Sequence, residues 1–336
     1  MNNRKVLIVG GAGYIGSILS GTLLKHNYVV KSLDLLLYEN HPRDLNYFGN
    51  CRYEFIYGDM VDEELMERAL EGVDIIVLLA GLVGDPITRK YPEESAVIND
   101  SGVKAVFEAC VNSGIKRLLF VSTCSNYGLT ESGRLIDENC VLNPLSLYAK
   151  SKVNAEQYLL SLKGKVNYHP TILRFATAFG LSPRMRFDLT VNEFTRELAI
   201  GNELLVYDPH TWRPYCHVRD FARLIQMVIE APTEEVSFEV FNAGSNINNA
   251  TKQMIVDTIL EKIPDGKIRY KKHGSDPRNY RVSFDKVRSV FGFEPKYLIQ
   301  DGIDEIIASI NNHLFDCVDE KRSFFGNYEI HYPIST

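Results

Sequence analysis

Tyr148 and Lys152 stand four residues apart in the segment Tyr-Ala-Lys-Ser-Lys. On a helix, side chains with this spacing lie on one face and can point together into a cleft. A nearby ammonium group favours phenolate over phenol, so it would move the pKa of the tyrosine from about 10 towards that of a usable base. The same spacing is common in surface pairs, so the surrounding elements must decide whether it has a function.

A glycine-rich turn follows the first apolar strand and opens a helical segment. Glycine lets the backbone turn tightly and approach a pyrophosphate, whose charge then lies at the helix N-terminus. A strand before the motif and a helix after it are the context that predicts a dinucleotide-binding site. We predict that five residues of this turn bind the dinucleotide: Gly10, Gly13, Tyr14, Ile15 and Gly16.

Acidic residues follow the next two predicted strands. Asp34 ends the second strand, where a carboxylate accepts hydrogen bonds from the adenosine ribose hydroxyls and repels a 2′-phosphate. This favours NAD over NADP as the cofactor. Asp59, next to Met60, follows the third strand and could bond the adenine amino group or cap the helix that begins near Asp62.

Apolar strands alternate with amphipathic helical stretches up to about Arg174, which predicts an α/β fold with a Rossmann-type, doubly wound parallel sheet. Ligands of such sheets bind beyond the carboxyl ends of the strands. The strands are predicted at residues 6–9, 28–33, 53–57, 75–79, 118–122 and 171–174, and the helices at 14–26, 63–70, 93–112 and 144–162.

After Arg174 the regular alternation ends and the predicted elements become shorter, which indicates a smaller mixed C-terminal lobe for the substrate. Helices are predicted there at 187–200, 218–230, 252–262 and 303–313, and a strand at 238–242. We therefore predict an NAD-binding domain over 1–174 and a substrate lobe over 175–315, with the chain crossing between them. Residues 316–336 are left unassigned.

The composition narrows the class of protein. The 336 residues are 45% hydrophobic and carry a formal net charge of −6, so no overall positive field favours nucleic acid or an anionic membrane. No apolar run approaches the roughly 18 residues that a membrane span needs, and the apolar run at the N-terminus is too short for a signal peptide. Six scattered cysteines without a C-x-x-C pair suggest neither disulfides nor a metal site and fit a reducing cytoplasm.

With these residues assembled, the chain resembles the extended short-chain dehydrogenase/reductase family, in particular its NAD-dependent nucleotide-sugar epimerases, dehydratases and 4-oxidoreductases. The resemblance covers residues 5 to about 295. It implies NAD as cofactor, a nucleotide-diphosphate sugar as partner, and a homodimer packed through the helices at 93–112 and 144–162. Its markers are GGAGYIG, Asp34, Gly58-Asp59, Leu79-Ala80-Gly81, Asn99, the segment STCSNYG at 122–128, Tyr148-x-x-x-Lys152 and the segment RPYCHVRD at 213–220.

The resemblance assigns roles to several of these residues. Thr123 takes the catalytic Ser/Thr position and holds the sugar oxygen against Tyr148, although a threonine at a strand end often bonds its own backbone. Lys152 also bonds the nicotinamide ribose. Ala80, Gly81 and Asn99 line the cofactor groove, although Asn99 could instead satisfy buried backbone groups.

Departures from the family pattern concern the substrate. In the 4,6-dehydratases an Asp and a Glu follow the catalytic Thr, whereas here Cys124 and Ser125 occupy those substrate-facing positions, which argues against dehydration. Thr177 stands where the 4-epimerases have an asparagine that binds diphosphate. Cys124 could transfer a proton, or it could be a small buried hydrophobic residue.

Arginines are the candidates for holding the substrate diphosphate, because a planar guanidinium binds phosphate oxygens bidentately. Arg213 matches the family's diphosphate clamp, and Arg278 is a second candidate. Arg184 and Arg186 are weaker candidates, since arginines in loops are usually solvated.

These residues favour an enzyme that oxidises the C4 hydroxyl of a nucleotide-activated hexose or heptose, with Tyr148 as base. As an epimerase it would return the hydride to the other face of the 4-keto sugar; as a 4-dehydrogenase it would release that sugar. The sequence does not separate the two, because both use the same Thr, Tyr and Lys. A non-catalytic, NAD-bound regulatory protein is the alternative from another class, and it would be expected to lose the Tyr or the Lys.

Overall fold

The structure is a computed structural model and describes residues 4–38, 47–129, 135–272, 274 and 278–333. Strands and helices alternate along the first half of the chain. The elements are β1 (Lys5–Val9), α1 (Tyr14–Lys25), β2 (Val29–Asp34), β3 (Tyr53–Tyr57), α2 (Glu63–Leu70), β4 (Ile75–Leu78), α3 (Asp85–Lys90), α4 (Pro92–Ser95), α5 (Val103–Ala109), β5 (Arg117–Thr123), β6 (Leu135–Ile136), α6 (Leu147–Ser161) and β7 (His169–Phe175).

The second half has shorter strands and more irregular connections. Its elements are β8 (Thr177–Phe179), α7 (Thr190–Ala199), β9 (Glu203–Tyr207), β10 (Trp212–His217), α8 (Val218–Glu230), α9 (Thr233–Val236), β11 (Glu239–Ala243), β12 (Asn249–Thr251), α10 (Lys252–Leu260), β13 (Lys267–Lys271), β14 (Arg281–Val282), α11 (Asp285–Phe291) and α12 (Ile299–Asn311). Within the described residues, no helix is long and apolar enough to cross a bilayer.

Seven parallel strands form the central sheet in the order β11-β7-β5-β4-β1-β2-β3. The predicted α/β class and parallel, doubly wound sheet are thereby confirmed. Strands β4 and β5 are buried along their whole length, which explains their continuous apolar sequence. The strand order reverses between β1 and β4, so a crevice opens at the carboxyl ends of these two strands.

Three elements differ from their predictions. The strand predicted at 238–242 forms, but as β11 it pairs with β7 at the edge of the central sheet. The helix predicted at 93–112 contains a π-helical stretch, Ala96–Gly102, between α4 and α5. Helix α6 begins at Leu147 and not at Pro144, because the Ser146 side chain accepts a hydrogen bond from the Ala149 N–H (3.2 Å) and caps the helix there.

Small sheets and helices complete the second half. Strands β8, β10 and β12 form a three-stranded sheet, β9 pairs with β13, and β6 pairs with β14. Helices α7, α10 and α12 pack their apolar side chains against β9 and β10 in a separate core. This core supports the loop between β8 and α7, which lies over the first turn of α1: Ser182 Oγ donates to the Tyr14 carbonyl at 2.6 Å.

The C-terminal segment, residues 316–333, packs along the crevice, although the sequence analysis assigned it no element. Residues 334–336 lie outside the described part. The Phe325 carbonyl accepts a hydrogen bond from the Phe187 N–H (2.7 Å), and Asn327 Nδ2 donates to the Val83 carbonyl (2.9 Å). Ile330 is buried in the core beside the central sheet. The segment therefore joins the loop before α7 to the end of β4.

A buried ion pair fastens helix α6 to the central sheet. The Arg174 guanidinium on β7 donates to both oxygens of Glu156, with Nη2 to Oε2 at 2.7 Å. Asn126 Nδ2 also donates to this carboxylate at 2.8 Å, as does the Ser122 hydroxyl. Because Glu156 is 1% exposed and Arg174 5% exposed, neither charge can turn to water if its partner is removed.

We expect Glu156→Gln to lower the free energy of unfolding by about 3–5 kcal/mol, because it leaves the Arg174 charge buried without a counter-charge. Urea titration of the purified variant measures this. Glu203→Gln is the matched control: Glu203 pairs with Arg269, both half exposed, and its loss should change stability by no more than about 0.5 kcal/mol. Equal effects of the two substitutions would contradict the central place given to the buried pair.

Candidate active site

A single cavity at the carboxyl ends of β1, β4 and β5 brings together most of the predicted site residues. Those that line it are Gly10, Gly13, Tyr14, Ile15, Gly16, Asp34, Asp59, Met60, Ala80, Gly81, Thr123, Cys124, Ser125, Tyr148, Lys152, Thr177 and Arg278. They come from eight separate stretches of the chain, and only the fold makes them neighbours.

Thr123 lies at the end of β5 and contacts the Tyr148 side chain. Its hydroxyl oxygen also accepts a hydrogen bond from the Ser125 N–H at 3.1 Å, which caps the 3₁₀ turn Cys124–Tyr127. The alternative interpretation, a threonine that bonds its own backbone, is therefore confirmed, and the catalytic role of Thr123 stays a prediction. Burial raises the pKa of Tyr148, and the charge of Arg186 and the hydrogen-bonding contact with Thr123 oppose that rise.

Lys152 follows Tyr148 by one turn of α6 and lies on the same face, as the spacing predicts. Its Nζ donates to the Val121 carbonyl at 2.9 Å and lies 4.6 Å from the centre of the Phe120 ring. Burial lowers the pKa of Lys152 to about 8, although the Glu156 carboxylate opposes this. The expectation that Lys152 lowers the pKa of Tyr148 is not met in this structure, where burial dominates.

The glycine-rich turn leaves the first N–H groups of α1 facing the cavity. Gly13 precedes the helix without a side-chain cap, and the first turn contains no acidic residue to occupy those groups. Gly10 adopts φ +88°, and a Cβ there would lie 2.7 Å from the Ala80 nitrogen. The turn thus requires glycine and fits a pyrophosphate at the helix N-terminus.

Asp34 and Asp59 stand at the ends of β2 and β3. The Asp34 carboxylate accepts hydrogen bonds from the Ala12 N–H (3.0 Å) and the Leu36 N–H (2.8 Å), so it also shapes the glycine-rich turn. The cap of α2 is Asp62, which accepts from the Leu65 N–H at 3.0 Å. Asp59 instead faces the cavity, in hydrogen-bonding contact with the Tyr332 hydroxyl.

Asn99 and Arg213 are the two predicted site residues that do not line the cavity. The Asn99 side chain accepts from the Leu82 N–H (2.8 Å) and donates to the Leu82 carbonyl (3.0 Å), as in the alternative interpretation. The Arg213 guanidinium donates to the Trp212 carbonyl (2.8 Å) and to the Arg278 carbonyl. Arg213 thus holds the backbone that carries Arg278.

Of the two predicted diphosphate ligands, Arg213 and Arg278, Arg278 is the one that lines the cavity. Its Nη1 donates to Ser125 Oγ at 2.8 Å, and its Nη2 lies 2.9 Å from Asp85 Oδ2. The Cys124 thiol donates to the Arg174 carbonyl at 3.2 Å, and burial raises the pKa of that thiol. Cys124 therefore packs as a small core residue at the wall of the cavity.

Asp85, Arg184 and Arg186 are cavity residues that the sequence did not assign to the site or ranked low. The expectation of solvated loop arginines is wrong for Arg184 and Arg186, which are both buried. The signal for Asp85 was available, because it follows the end of β4 by only a few residues and opens α3. The described residues contain no cluster of His, Cys, Asp or Glu that could hold a metal ion.

The sequence model of the NAD dependent epimerase/dehydratase family matches residues 6–244. The chain belongs to this family. Its cofactor is therefore NAD, and the glycine-rich turn, the uncapped N-terminus of α1 and Asp34 are the residues that fit it. Asp34 lies where the ribose hydroxyls of a bound dinucleotide are expected.

Relatives of this chain include both kinds of enzyme in the family name. The chain is 27% identical over 308 residues to the low-salt glycan biosynthesis protein Agl12 of Haloferax volcanii, covering 90% of this chain and 97% of that protein. The structure of Thermotoga maritima UDP-glucose 4-epimerase with UDP-glucose matches with 26% identity and a TM-score of 0.81, covering 93% of this chain and 100% of that one. The NAD complex of Streptomyces venezuelae dTDP-glucose 4,6-dehydratase matches with 25% identity and a TM-score of 0.83, covering 93% and 98%.

Lys152→Met should stabilise the protein at neutral pH, because it removes a charge from a buried position. The pKa of Lys152 is lowered from 10.5 to about 8, so below pH 8 both folded and unfolded chains carry the proton and the full penalty applies. That penalty, on the order of 3 kcal/mol, disappears as the pH rises from about 8 to 10.5. The stability gain of the variant, measured by urea titration, should therefore shrink between about pH 7 and pH 10.

Lys150→Met is the control for this measurement, since Lys150 lies on the same helix but is exposed. It should show no comparable gain. A Lys152→Met variant that is destabilised equally at both pH values would contradict the buried-charge argument.

Proposed function

We propose that this enzyme is an NAD-dependent epimerase that inverts C4 of a nucleotide-activated hexose or heptose. The observation that carries the proposal is the grouping of Thr123, Tyr148 and Lys152 in one cavity with the glycine-rich turn. A regulatory protein without catalysis would have no use for this grouping.

Tyr148 is the proposed base. Its oxygen accepts the proton of the C4 hydroxyl, and Thr123 holds the same hydroxyl in place. The glycine-rich turn and Asp34 would hold NAD, which would supply the hydride acceptor for C4 and the donor for the return of the hydride to the other face. Tyr148 would give its proton back in that return, so atoms and electrons balance without a second oxidant.

Burial makes Tyr148 harder to deprotonate, so Tyr148 can act as a base only if positive charge lies near its phenolate. Burial raises the pKa of Tyr148, whereas the charges of Arg186 and Arg278 lower it. Lys152 adds its charge if its Nζ leaves the Val121 carbonyl and turns towards the tyrosine. Its low pKa, about 8, makes it a mild proton donor as well as a cation.

Dehydration is disfavoured by the two residues after Thr123. Elimination of water needs an acid and a base next to the sugar, which the dehydratases supply as Asp and Glu. The Cys124 thiol here is buried with a raised pKa, and the Ser125 hydroxyl accepts from Arg278. Neither residue supplies a carboxyl group.

Arg278 is our proposed ligand of the substrate diphosphate, and Thr177 lines the same cavity. Arg213 has the motif position of the family's clamp, but its guanidinium bonds backbone carbonyls. We assign Arg213 to positioning Arg278.

A homodimer packed through the π-helical segment, α5 and α6 is our proposed assembly. Lys104 and Tyr158 meet on the outer face of these helices, where the Tyr158 hydroxyl donates to Glu108 Oε1 at 2.8 Å. Light scattering of the purified protein measures its mass; a monomer at micromolar concentration would contradict the proposal.

The reaction is tested by incubating the purified enzyme with UDP-, dTDP-, CDP- and GDP-sugars and identifying the products by mass and NMR. An epimerase changes the C4 configuration and leaves the mass unchanged. A product lighter by two hydrogens, with stoichiometric NADH, would show a dehydrogenase; a product lighter by one water would show a dehydratase. The absence of any product with every sugar, together with no absorbance change near the NADH band, would favour a non-catalytic protein.

Tyr148→Phe removes one oxygen and should lower kcat by roughly 10²- to 10⁴-fold, the usual contribution of general acid–base catalysis. NAD content and melting temperature should stay close to the wild-type values, because the ring still fills its site. Tyr270→Phe, on exposed β13 and outside the cavity lining, is the control and should keep full activity. Nearly full turnover by Tyr148→Phe would rule out this base.

A further inference from the structure

Arg184 is a buried cation in the loop between β8 and α7. Its side chain lines the cavity although the residue is only 2% exposed. Nη2 donates to the Gly326 carbonyl at 3.1 Å, and the guanidinium lies 4.6 Å from the centre of the Tyr38 ring. In the described part of the chain, no carboxylate lies within 4 Å of Arg184 to form an ion pair.

Arg186 lies in the same loop but, unlike Arg184, is paired with a carboxylate. It is also buried in the cavity wall, but it forms a two-pronged ion pair with Asp188, with Nε to Oδ1 at 3.0 Å and Nη2 to Oδ2 at 2.5 Å. Two arginines and one aspartate give this stretch a net charge of +1. The surplus positive charge faces the cavity through Arg184.

A buried charge without a counter-charge is costly, so proteins normally pair it or use it to bind a ligand. Burial lowers the pKa of Arg184 to about 10, which leaves it charged at neutral pH. One carbonyl and one ring satisfy only part of a group with five N–H donors. The free donors of Arg184 therefore suit an anion in the cavity.

The position of the loop indicates which anion. Ser182, two residues before Arg184, bonds the Tyr14 carbonyl at 2.6 Å, so the loop lies across the start of α1. Arg184 thus lines the same cavity as the open N–H groups of that helix. Its contact with Tyr38 and the field of Asp34 acting on it place Arg184 near Asp34, which is predicted to bind the cofactor ribose.

We propose that Arg184 is a ligand of the cofactor pyrophosphate and binds it together with the N-terminus of α1. This role belongs to cofactor binding and does not depend on which sugar reaction the enzyme performs. A 2′-phosphate is a poorer occupant, because the Asp34 carboxylate repels it.

The C-terminal segment holds Arg184 for this purpose. The Gly326 carbonyl fixes one prong of the guanidinium, and the Phe325 carbonyl bonds the loop itself through the Phe187 N–H. Asn327 anchors the segment to the end of β4 and also lines the cavity. Residues 325–327 therefore help to build the wall of the cavity around Arg184.

The test uses calorimetric titration of the full-length protein, freed of cofactor, with NAD, NADP, ADP-ribose, adenosine and UDP. Arg184→Gln should weaken NAD and ADP-ribose binding by about 10- to 100-fold, the effect of one lost charge-assisted contact. Adenosine, which lacks the pyrophosphate, should lose less than about 3-fold. Arg184→Lys should recover part of the loss, because it keeps the charge without the fork.

Thermal unfolding separates a ligand from a structural residue. Without cofactor, Arg184→Gln should melt at or above the wild-type temperature, because a buried charge is gone; with saturating NAD it should melt below the wild type. Arg269→Gln, an exposed arginine on β13, is the control and should change neither value.

Four outcomes would overturn the proposal. Unchanged NAD affinity would remove Arg184 from the site. Equal losses for adenosine and NAD, with a lower melting temperature in the absence of cofactor, would make it structural. A loss confined to NADP would place it at the 2′-phosphate, and a loss confined to UDP would place it at the substrate diphosphate.

Discussion

The contact between Glu156 and Arg174 is the constraint on which the site depends. Glu156 lies four residues after Lys152, which lies four residues after Tyr148, so fixing one carboxylate fixes the direction of this whole face of α6. The same carboxylate accepts hydrogen bonds from Ser122 and Asn126, on either side of Thr123 in the sequence. One buried ion pair thus sets both the helix that carries the proposed base and the strand end that carries its partner. A surface pair could not do this, because water would compete for each charge.

Burial acts in opposite directions on the two central residues of the site. It raises the pKa of Tyr148 and lowers that of Lys152, and both shifts favour the neutral form. The proposed chemistry needs the opposite arrangement, phenolate beside ammonium, so positive charge must accumulate around Tyr148 when ligands bind. Arg186 and Arg278 already contribute in this direction.

The sequence predicted those parts of the fold that depend on local patterns. Continuous apolar strands, a glycine-rich turn and an acid at the end of β2 are read within about thirty residues, and the central sheet and most of the cavity lining followed from them. Residues placed by distant contacts were missed. Arg184 resembles any loop arginine until the C-terminal segment and Tyr38 enclose it, and the strand at 238–242 gave no sign that it would join β7. The motif match to Arg213 identified the right neighbourhood but not which arginine side chain reaches the cavity, because that depends on how β10 packs against the loop carrying Arg278.

The wall formed by the C-terminal segment bears on the kind of reaction that suits this cavity. Asp59 contacts Tyr332, Asn327 bonds the end of β4, and Gly326 holds Arg184, so residues from the last part of the chain touch the cofactor groove at three places. If Arg184 binds the pyrophosphate, this wall adds a contact that slows the release of NAD. A dehydrogenase must exchange NADH for NAD in every turnover, so slow release would limit its rate. An epimerase returns the hydride within the same site and does not need this exchange. A tightly held cofactor therefore agrees with the proposed reaction, in which NAD is regenerated in place.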